Sequence, residues 1–225
     1  FYSAEMFTDY PPGFMYVLYL IGALRSLLQI PYYSDLHILL LKLPAILCDI
    51  ACGFLLYREA VKRLHFSDLQ GIFAASAYLF QPAVILNSSC WGQVDSVYTL
   101  MIILMCLFLM KGNLLPAYAV YGLGVLLKPQ MLIFTPVLLT GIWDHVFLQD
   151  FSWQKFFYNL CGGLVVICGM LLLCAPFGLT AAILQYTSTL GSYEYAAINA
   201  YNFWGLLGMN WVDQNTIFLF LPCKT

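Results

Sequence analysis

Polar residues of the kinds that bind or transform a substrate fall into four short clusters, each beside long apolar runs. The clusters occupy positions 9–13, 87–96, 128–130 and 193–204. They combine carboxylates, amides, aromatic rings and a lysine, which are groups suited to sugars and to phosphate. Polar groups at membrane depth are costly and usually mark a pathway or a site, so function is sought first in these clusters.

The first cluster is Asp9-Tyr10-Pro11-Pro12-Gly13. Its two prolines restrict the backbone and its glycine relieves the crowding, so a rigid turn can hold Asp9 and Tyr10 in one place. The same residues also fit an ordinary helix start, with aspartate as the cap and proline in the first turn. Both interpretations stay open from the sequence.

The second cluster, positions 87–96, joins two apolar runs and contains no basic residue. Trp91, Gln93 and Asp95 lie close together, and this combination suits sugar binding through ring stacking and paired hydroxyl contacts. The alternatives are that Trp91 belongs to an interfacial aromatic belt and that Asp95 or Ser96 caps the next helix.

The third cluster is Lys128-Pro129-Gln130. A lysine at the membrane surface can bind a lipid-linked phosphate as a compact positive charge, or it can snorkel to the interface without a specific ligand. Lys42, about one turn inside the end of its apolar run, can add a second positive charge. The alternative role for Lys42 is pairing with Asp49 on the same helix face.

The fourth cluster lies in and just after the longest predicted outer loop, positions 177–203. An aromatic belt explains Phe203 and Trp204 without any function. It explains Asn199 and Asn202 less well, and these amides can form hydrogen bonds with a substrate.

Other chemistries find no support in the sequence, which contains no GxSxG, HExxH or glycine-rich phosphate-loop pattern. The histidines at 37, 65 and 145 are scattered, so we expect no metal centre and no cofactor. The eight cysteines lie mostly inside apolar runs without a CxxC pair and are interpreted as small helix-packing residues. A net charge of −2 without a basic patch argues against nucleic acid as a partner.

The elements that must position these clusters are membrane-spanning helices. Hydrophobic residues make up 62% of the 225 residues and charged residues only 9%, against roughly 25% charged in a soluble domain. In lipid every backbone polar group must be satisfied internally, so helix is the expected state. We predict an all-α, polytopic transmembrane bundle that forms one domain over 1–225. The apolar runs are 12–30, 37–57, 69–88, 94–110, 114–128, 130–148, 156–176 and 203–221.

The basic residues predict the orientation of the bundle. Arg58, Lys62 and Arg63 follow the second run, Lys111 follows the fourth, and Lys155 precedes the seventh. All these loops fall on one side if runs two to seven span, and the positive-inside rule makes that side cytoplasmic. The polar clusters then lie on the outer face.

The apolar run 12–30 decides on which side of the membrane the first cluster lies. If this run spanned, the cluster at 9–13 would be cytoplasmic, away from the other clusters. The run contains Arg25 and is flanked by Pro12 and Pro31. We therefore predict an interfacial or re-entrant helix in the first outer loop, with both ends outside. An ordinary span is the alternative.

In this order and on these loops, four motifs resemble the GT-C superfamily of membrane glycosyltransferases. The pattern most resembles bacterial mannosyltransferases related to the second mannosyltransferase of GPI synthesis, and it is similar to the lumenal glucosyltransferases that extend dolichol-linked oligosaccharide. The motifs are Asp9-Tyr10-Pro11-Pro12, Trp91-Gly92-Gln93-Val94-Asp95-Ser96, Leu127-Lys128-Pro129-Gln130 and Tyr201-Asn202-Phe203-Trp204.

The resemblance implies inverting transfer of a hexose, mannose or glucose, from a polyprenyl- or dolichyl-phosphate sugar. The acceptor is a lipid-linked or surface glycan on the extracytoplasmic face, and neither a sugar nucleotide nor a divalent metal is implied. The implied partners are this donor, a glycan or glycolipid acceptor, and membrane lipids. The implied location is the bacterial plasma membrane, or the endoplasmic reticulum membrane in a eukaryote.

By the same resemblance, Lys128 and Gln130 lie near the donor phosphate, while Gln93 and Asp95 line the site. The usual general base is an aspartate early in the first outer loop, which activates the acceptor hydroxyl. That position falls upstream of Phe1, so we expect a fragment lacking the first span and the C-terminal spans. The predicted catalytic residues are Asp9 and Asp95, and the predicted substrate-binding residues are Tyr10, Trp91, Gln93, Lys128, Gln130, Asn202 and Trp204.

The alternative function is a transporter or flippase for a lipid-linked or small polar substrate, because Lys42 and Asp49 lie inside an apolar run. A transporter should show internal repeats and a site near the middle of the membrane. Here the polar groups collect on one face and no repeat is visible. A scaffold subunit with a decayed site is a third interpretation.

Overall fold

The structure is a computed structural model in which the chain divides into two compact units. The first unit covers Tyr10–Leu179 and the second contains the described residues from Thr180 onward. Helix dominates both the first unit and the described residues as a whole, as the sequence predicts. The single domain expected over 1–225 stays a prediction. The described residues are 10–149, 151–191, 195–197, 203–213, 215–218 and 221–222.

The first unit is a series of helices joined by short connections. Most are regular, but α4 ends in a π-helical turn, and α7 begins with a 3-10 turn and ends in a π-helical one. The helices are α1 (Pro12–Leu27), α2 (Asp35–Arg63), α3 (Asp68–Leu79), α4 (Pro82–Trp91), α5 (Asp95–Met110), α6 (Leu114–Leu127), α7 (Pro129–Leu148) and α8 (Trp153–Phe177).

Two prolines start α1, with Pro11 at the N-cap and Pro12 as the first helical residue. The 16 residues of α1 rise about 24 Å, less than the roughly 30 Å of a hydrocarbon core. Near its end, Arg25 donates to the carbonyl of Ile30 at 3.0 Å and lies over the ring of Tyr32. The interfacial position of α1 stays a prediction.

Polar side chains start α2 and α3. Ser34 accepts a hydrogen bond from the backbone of His37, and Ser67 and Gln70 form a reciprocal capping box. α3 and α4 meet at a bend of 46°, because Pro82 cannot continue the hydrogen-bond pattern of α3. α2 packs along both α3 and α5.

α5 and α6 pack against each other and agree to within one residue with the apolar runs predicted at 94–110 and 114–128. Their 16 and 14 residues rise about 24 and 21 Å. α5 stops before Gly112, which has a positive φ of 71°. α6 stops at Lys128, whose extended backbone precedes Pro129. A tight turn at Lys128-Pro129 is what the sequence predicted.

Three helices, α2, α7 and α8, are long and apolar enough to cross a membrane, and the bent pair α3–α4 makes a fourth if it is one span. The other apolar helices of the first unit, α1, α5 and α6, are shorter than this. The described residues therefore have fewer helices of membrane-spanning length than the sequence has apolar runs. The runs 94–110 and 114–128 are themselves short, and the run 69–88 is bent where Pro82 starts α4.

The connections of the first unit gather at two ends. At one end lie the α2–α3, α5–α6 and α7–α8 connections: Arg63 donates to the carbonyl of Met110 at 3.3 Å, and His145 Nε2 bonds the carbonyl of Leu109 at 2.7 Å. We term this the basic end. The α4–α5 and α6–α7 connections lie at the other end, termed the motif end. The basic end carries Arg58, Lys62, Arg63, Lys111 and Lys155.

The second unit is not the continuous helix predicted over 203–221, so that prediction is wrong. The helix ends at Leu206, just before Gly208, whose φ is 74°, and the turn that follows contains Trp211 with a φ of 63°. The N–H of Ala196 instead donates to the carbonyl of Val212 at 2.7 Å. The elements of this unit are α9 (Leu179–Gly191), α10 (Phe203–Leu206) and the antiparallel strands β1 (Ile217–Phe218) and β2 (Leu221–Pro222).

Candidate functional site

Three of the four polar clusters meet at the motif end of the first unit. Phe14, just after the first cluster, forms one buried group with Val94 of the second cluster and Val97 of α5. Tyr10 and Leu127, the residue before the third cluster, pack against that group. Apolar contacts thus hold three clusters, far apart in sequence, against one another.

The first cluster is held against the end of α6. The carbonyl of Pro11 accepts a hydrogen bond from the N–H of Phe14 at 3.2 Å, and the ring of Tyr10 lies 4.8 Å from that of Phe14. A Cβ built on Gly13 would lie 2.6 Å from the carbonyl oxygen of Leu126. Only glycine permits so close an approach. The prolines therefore start α1 and also form a turn that holds Tyr10 in place.

Lys42 of α2 holds the end of α4. Its Nζ donates to the carbonyls of Ser89 and Cys90 at 2.9 and 2.8 Å, where these helical carbonyls need donors. The alternative in which Lys42 pairs with Asp49 is wrong, because Lys42 points to the motif end. The carboxylate of Asp49 instead accepts a hydrogen bond from Tyr78 at 2.9 Å.

The turn between α4 and α5 is built from the second cluster itself. Gly92 takes a positive φ of 82°, and the N–H of Gln93 donates to the carbonyl of Asn87 at 2.9 Å. The hydroxyls of Ser88 and Ser96 form a buried hydrogen bond of 2.6 Å across the turn. These bonds fix the direction in which α5 begins.

Asp95 is the first residue of α5, and both oxygens of its carboxylate have partners. Oδ1 forms an ion pair with Lys128 Nζ, and Oδ2 accepts a hydrogen bond from Asn87 Nδ2 at 3.2 Å. Thr99 Oγ1 donates to the backbone carbonyl of Asp95 at 2.8 Å. Val94 occupies the N-cap of α5, so Asp95 is not its cap. As an acid in the first turn, Asp95 still interacts favourably with the helix dipole.

Lys128 lies where α6 ends, and its ammonium does not extend freely into solvent as snorkelling predicts. It pairs with Asp95 and lies 5.2 Å from the centre of the Tyr98 ring. The side chain is only 18% exposed. Burial lowers the pKa of Lys128 below its usual value, because it disfavours the charged form.

This arrangement suits the binding of an anion. An ammonium group has three N–H donors, and the pair with Asp95 leaves donor capacity for another acceptor. The carboxylate, the ring of Tyr98 and the C-terminal dipole of α6 all favour the cation at this position. A partly buried, positioned charge can therefore contact a phosphate oxygen without first being ordered.

For the other predicted site residues the structure gives burial but no contact with this pair. Trp91 is 72% exposed, Gln93 is half-buried, and Gln130 is exposed in the first turn of α7. Trp204 belongs to α10, an element of the second unit. The catalytic roles of Asp9 and Asp95 stay predictions. Two predicted site residues lie outside the described residues, namely Asp9 and Asn202.

Two contributors to the site were not among the predicted site residues. Tyr98 follows Asp95 by three positions, so helical spacing already places both side chains on one face of α5. Asn87 belongs to the second cluster, but its bond to Asp95 requires the π-helical end of α4 and the turn at Gly92. Helical spacing reveals the first residue, whereas only the folded turn reveals the second.

Comparison with known proteins finds no protein-family model, curated protein or solved structure that matches this chain. Within the described part of the chain, no three His, Cys, Asp or Glu side chains gather into a group that could hold a metal ion.

Proposed function

We propose that this chain is part of a membrane glycosyltransferase that transfers a hexose, mannose or glucose, from a polyprenyl- or dolichyl-phosphate sugar to a lipid-linked or surface glycan. The observation that carries this proposal is the meeting of three polar clusters at one end of the first unit. Tyr10 packs there beside the second cluster, and Asp95 pairs there with Lys128. A glycosyltransferase needs such a shared site, where residues from separate connections can contact one substrate.

In this proposal the protein is a multi-pass membrane protein whose motif end faces outward. Three or four helices of membrane-spanning length support a multi-pass membrane protein. The concentration of Lys and Arg at the opposite end supports an outward-facing motif end, because cytoplasmic loops carry such an excess. The membrane is the bacterial plasma membrane, or that of the endoplasmic reticulum in a eukaryote.

In the proposed reaction, the acceptor hydroxyl oxygen bonds to the anomeric carbon while the bond from that carbon to the phosphate oxygen breaks. The electron pair goes to the phosphate, whose negative charge grows, and the hydroxyl proton goes to a carboxylate base. Lys128 donates to a phosphate oxygen. A fixed charge in a partly dry site stabilises this growing charge more than it stabilises the ground state.

Asp95 and Tyr98 act as positioning residues in this scheme. Because both oxygens of Asp95 already have partners, its carboxylate is better suited to holding Lys128 than to accepting a proton. The general base is then the upstream aspartate that the resemblance implies, or Asp9.

Sugar recognition is assigned to the exposed parts of the second and third clusters. The ring of Trp91 is open to solvent and can stack on a sugar face. Gln93, on the same turn, and Gln130, two residues after Lys128, offer amides for hydroxyl or phosphate oxygens. These residues lie next to Asp95 and Lys128 in the sequence, as a shared site requires.

The contacts of Lys42 and Asp49 favour the glycosyltransferase over the transporter. Lys42 bonds the end of α4, and Asp49 accepts from Tyr78, so both polar groups link neighbouring helices. A transporter needs such groups to face a pathway through the membrane.

The test is transfer from a polyprenyl-phosphate sugar by the wild-type protein and by Lys128→Ala and Lys128→Arg. The alanine variant should lose on the order of 2–4 kcal/mol of transition-state stabilisation, or roughly 30- to 1,000-fold in rate. Lys111→Ala, at the basic end, is the matched control and should retain its rate. Near-normal turnover in Lys128→Ala would remove Lys128 from the site and contradict this mechanism.

A further inference from the structure

A polar cavity of about 430 Å³ opens at the basic end of the first unit. It lies between the α5–α6 connection, the end of α7 and the start of α8. Its polar lining residues are Asn113, His145, Gln149, Lys155, Tyr158 and Asn159. The proposed transfer reaction uses none of them, since its residues lie at the motif end.

The lining of this cavity suits an anion. Lys155 and His145 contribute to it, and none of the described residues that line it is acidic. Lys155 Nζ also donates to the carbonyl of Gln149 at 3.3 Å, so a ligand would share this ammonium with the protein. The first residues of α6, Leu114 and Leu115, also line the cavity, so the positive end of that helix dipole adds to the favourable field. Nε2 of His145 lies 2.7 Å from the carbonyl oxygen of Leu109, and its Nδ1 lies 3.3 Å from Oε1 of Gln149, so the ring is held in place at the cavity.

An apolar groove of about 380 Å³ adjoins the polar cavity. It runs between α6, α7 and α8, and Asn159 lines both spaces. Along α8 it extends from Phe156 to Met170, a rise of about 21 Å, which exceeds one leaflet of a hydrocarbon core roughly 30 Å thick. Leu164 and Ile167 are 53% and 54% exposed, so the groove is open at its side.

We propose that the basic end binds one phospholipid with an anionic headgroup from the leaflet on that side. The phosphate lies in the polar cavity near Lys155 and His145, and one acyl chain lies in the groove. Charge complementarity selects an anionic headgroup over a zwitterionic one. The continuity of a polar cavity with an apolar groove selects a lipid over a soluble phosphate, which would use the polar part alone. This site is separate from the proposed transfer site, and each can fail without the other.

Native mass spectrometry of the full chain tests the site, with dipalmitoyl phosphatidylglycerol and dipalmitoyl phosphatidylcholine as probes of identical chains. We expect one retained phosphatidylglycerol per protein and about tenfold weaker retention in Lys155→Gln, because a charged hydrogen bond is lost. Lys111→Gln is the matched control, since Lys111 is a basic residue of the same end that does not line the cavity. It should retain the lipid as the wild type does.

The groove is tested separately by two glycines of α8. A Cβ added at either Gly163 or Gly169 meets no described atom within 4 Å, but only Gly163 lines the groove. Gly163→Leu should fill the groove and lower phosphatidylglycerol retention, whereas Gly169→Leu should not. Thermal unfolding of both variants checks that each remains folded.

Several outcomes would overturn the lipid site. One is retention of phosphatidylcholine as strong as that of phosphatidylglycerol. Another is a loss of phosphatidylglycerol in Lys111→Gln and Gly169→Leu as large as that in Lys155→Gln and Gly163→Leu. Glycerol phosphate that competes as well as the whole lipid would show that the groove is not used. Preferential retention of a polyprenyl phosphate would assign the groove to a different lipid class.

Discussion

The two ends of the first unit both hold positive charge, but they hold it in different ways. At the motif end, Lys42 and Lys128 reach acceptors on other helices, the carbonyls that end α4 and a carboxylate of α5. At the basic end, Arg58 pairs with its own neighbour Glu59, and Lys62 is exposed. Arg63 is the exception at the basic end, because it donates to the carbonyl of Met110 on α5. The two lysines of the motif end are therefore linked across helices, whereas Arg58 and Lys62 at the basic end are locally paired or solvated.

This difference indicates that the basic residues at the two ends have different roles. A solvated charge contributes little to stability but biases orientation across a membrane. A partly buried charge costs desolvation free energy and must be compensated by partners, so its retention at a helix junction indicates binding or positioning. Lys128 is of the second kind, since its burial lowers its pKa while Asp95 compensates its charge.

The largest effect should come from separating the ion pair at the motif end. Asp95→Asn should lower transfer roughly 10- to 100-fold, because Lys128 loses the charged partner that positions it. The double variant Asp95→Asn/Lys128→Ala should be little worse than Lys128→Ala alone. Asp95 acts by positioning the ammonium of Lys128, so its loss matters little once that ammonium is gone. The rates of transfer for the wild type, the two single variants and the double variant form a double-mutant cycle, which measures the coupling between the two residues. Fully additive losses would mean that the two residues act independently.

A smaller effect is expected from the close approach of α1 to α6. Gly13→Ala should destabilise the protein by about 1–3 kcal/mol, because the added methyl meets the backbone of Leu126. Gly22→Ala in the same helix meets no described atom within 4 Å and should be neutral or stabilising by up to about 1 kcal/mol. Thermal unfolding in detergent measures both. Equal behaviour of the two variants would contradict the packing of the first cluster on α6.

A still smaller effect should distinguish the linked lysines from the solvated ones. Lys42→Met should cost about 1 kcal/mol, since the carbonyls of Ser89 and Cys90 lose their donor at a partly exposed site. Lys62→Met, at the exposed basic end, should change stability by less than about 0.5 kcal/mol. Denaturant unfolding compares the pair. A loss in Lys62→Met as large as that in Lys42→Met would remove the distinction between the two ends.

The last test leaves the energetics unchanged and examines orientation alone. Cys90 is exposed at the motif end, so an impermeant thiol reagent should label it in intact cells in a variant that has Cys90 as its single cysteine. A variant whose single cysteine comes from Lys62→Cys should be labelled only after permeabilisation. The reverse pattern would place the motif end in the cytoplasm and exclude an extracytoplasmic donor.

Residue pattern alone predicted most of the helical segments of the first unit, because each depends on a local apolar run and local stop signals. The prolines at 11 and 12, the turn at Lys128-Pro129 and the polar connection before Asp95 all lie where the sequence indicated. The pattern failed at 203–221, where Gly208 and the bridges to 195–197 replace a helix. Hydropathy reports the average polarity of a run, and it does not detect a backbone that is turned by a few residues.

The amino-acid sequence by itself determined that this protein is helical, apolar and polarised, with basic residues at one set of connections and polar motifs at another. These properties follow from composition and from periods of a few residues. Only the tertiary structure decided that Lys128 pairs with Asp95 and that Lys42 bonds the end of α4 rather than Asp49. Such partners lie on different helices, and their distance depends on how close small residues such as Gly13 let those helices approach.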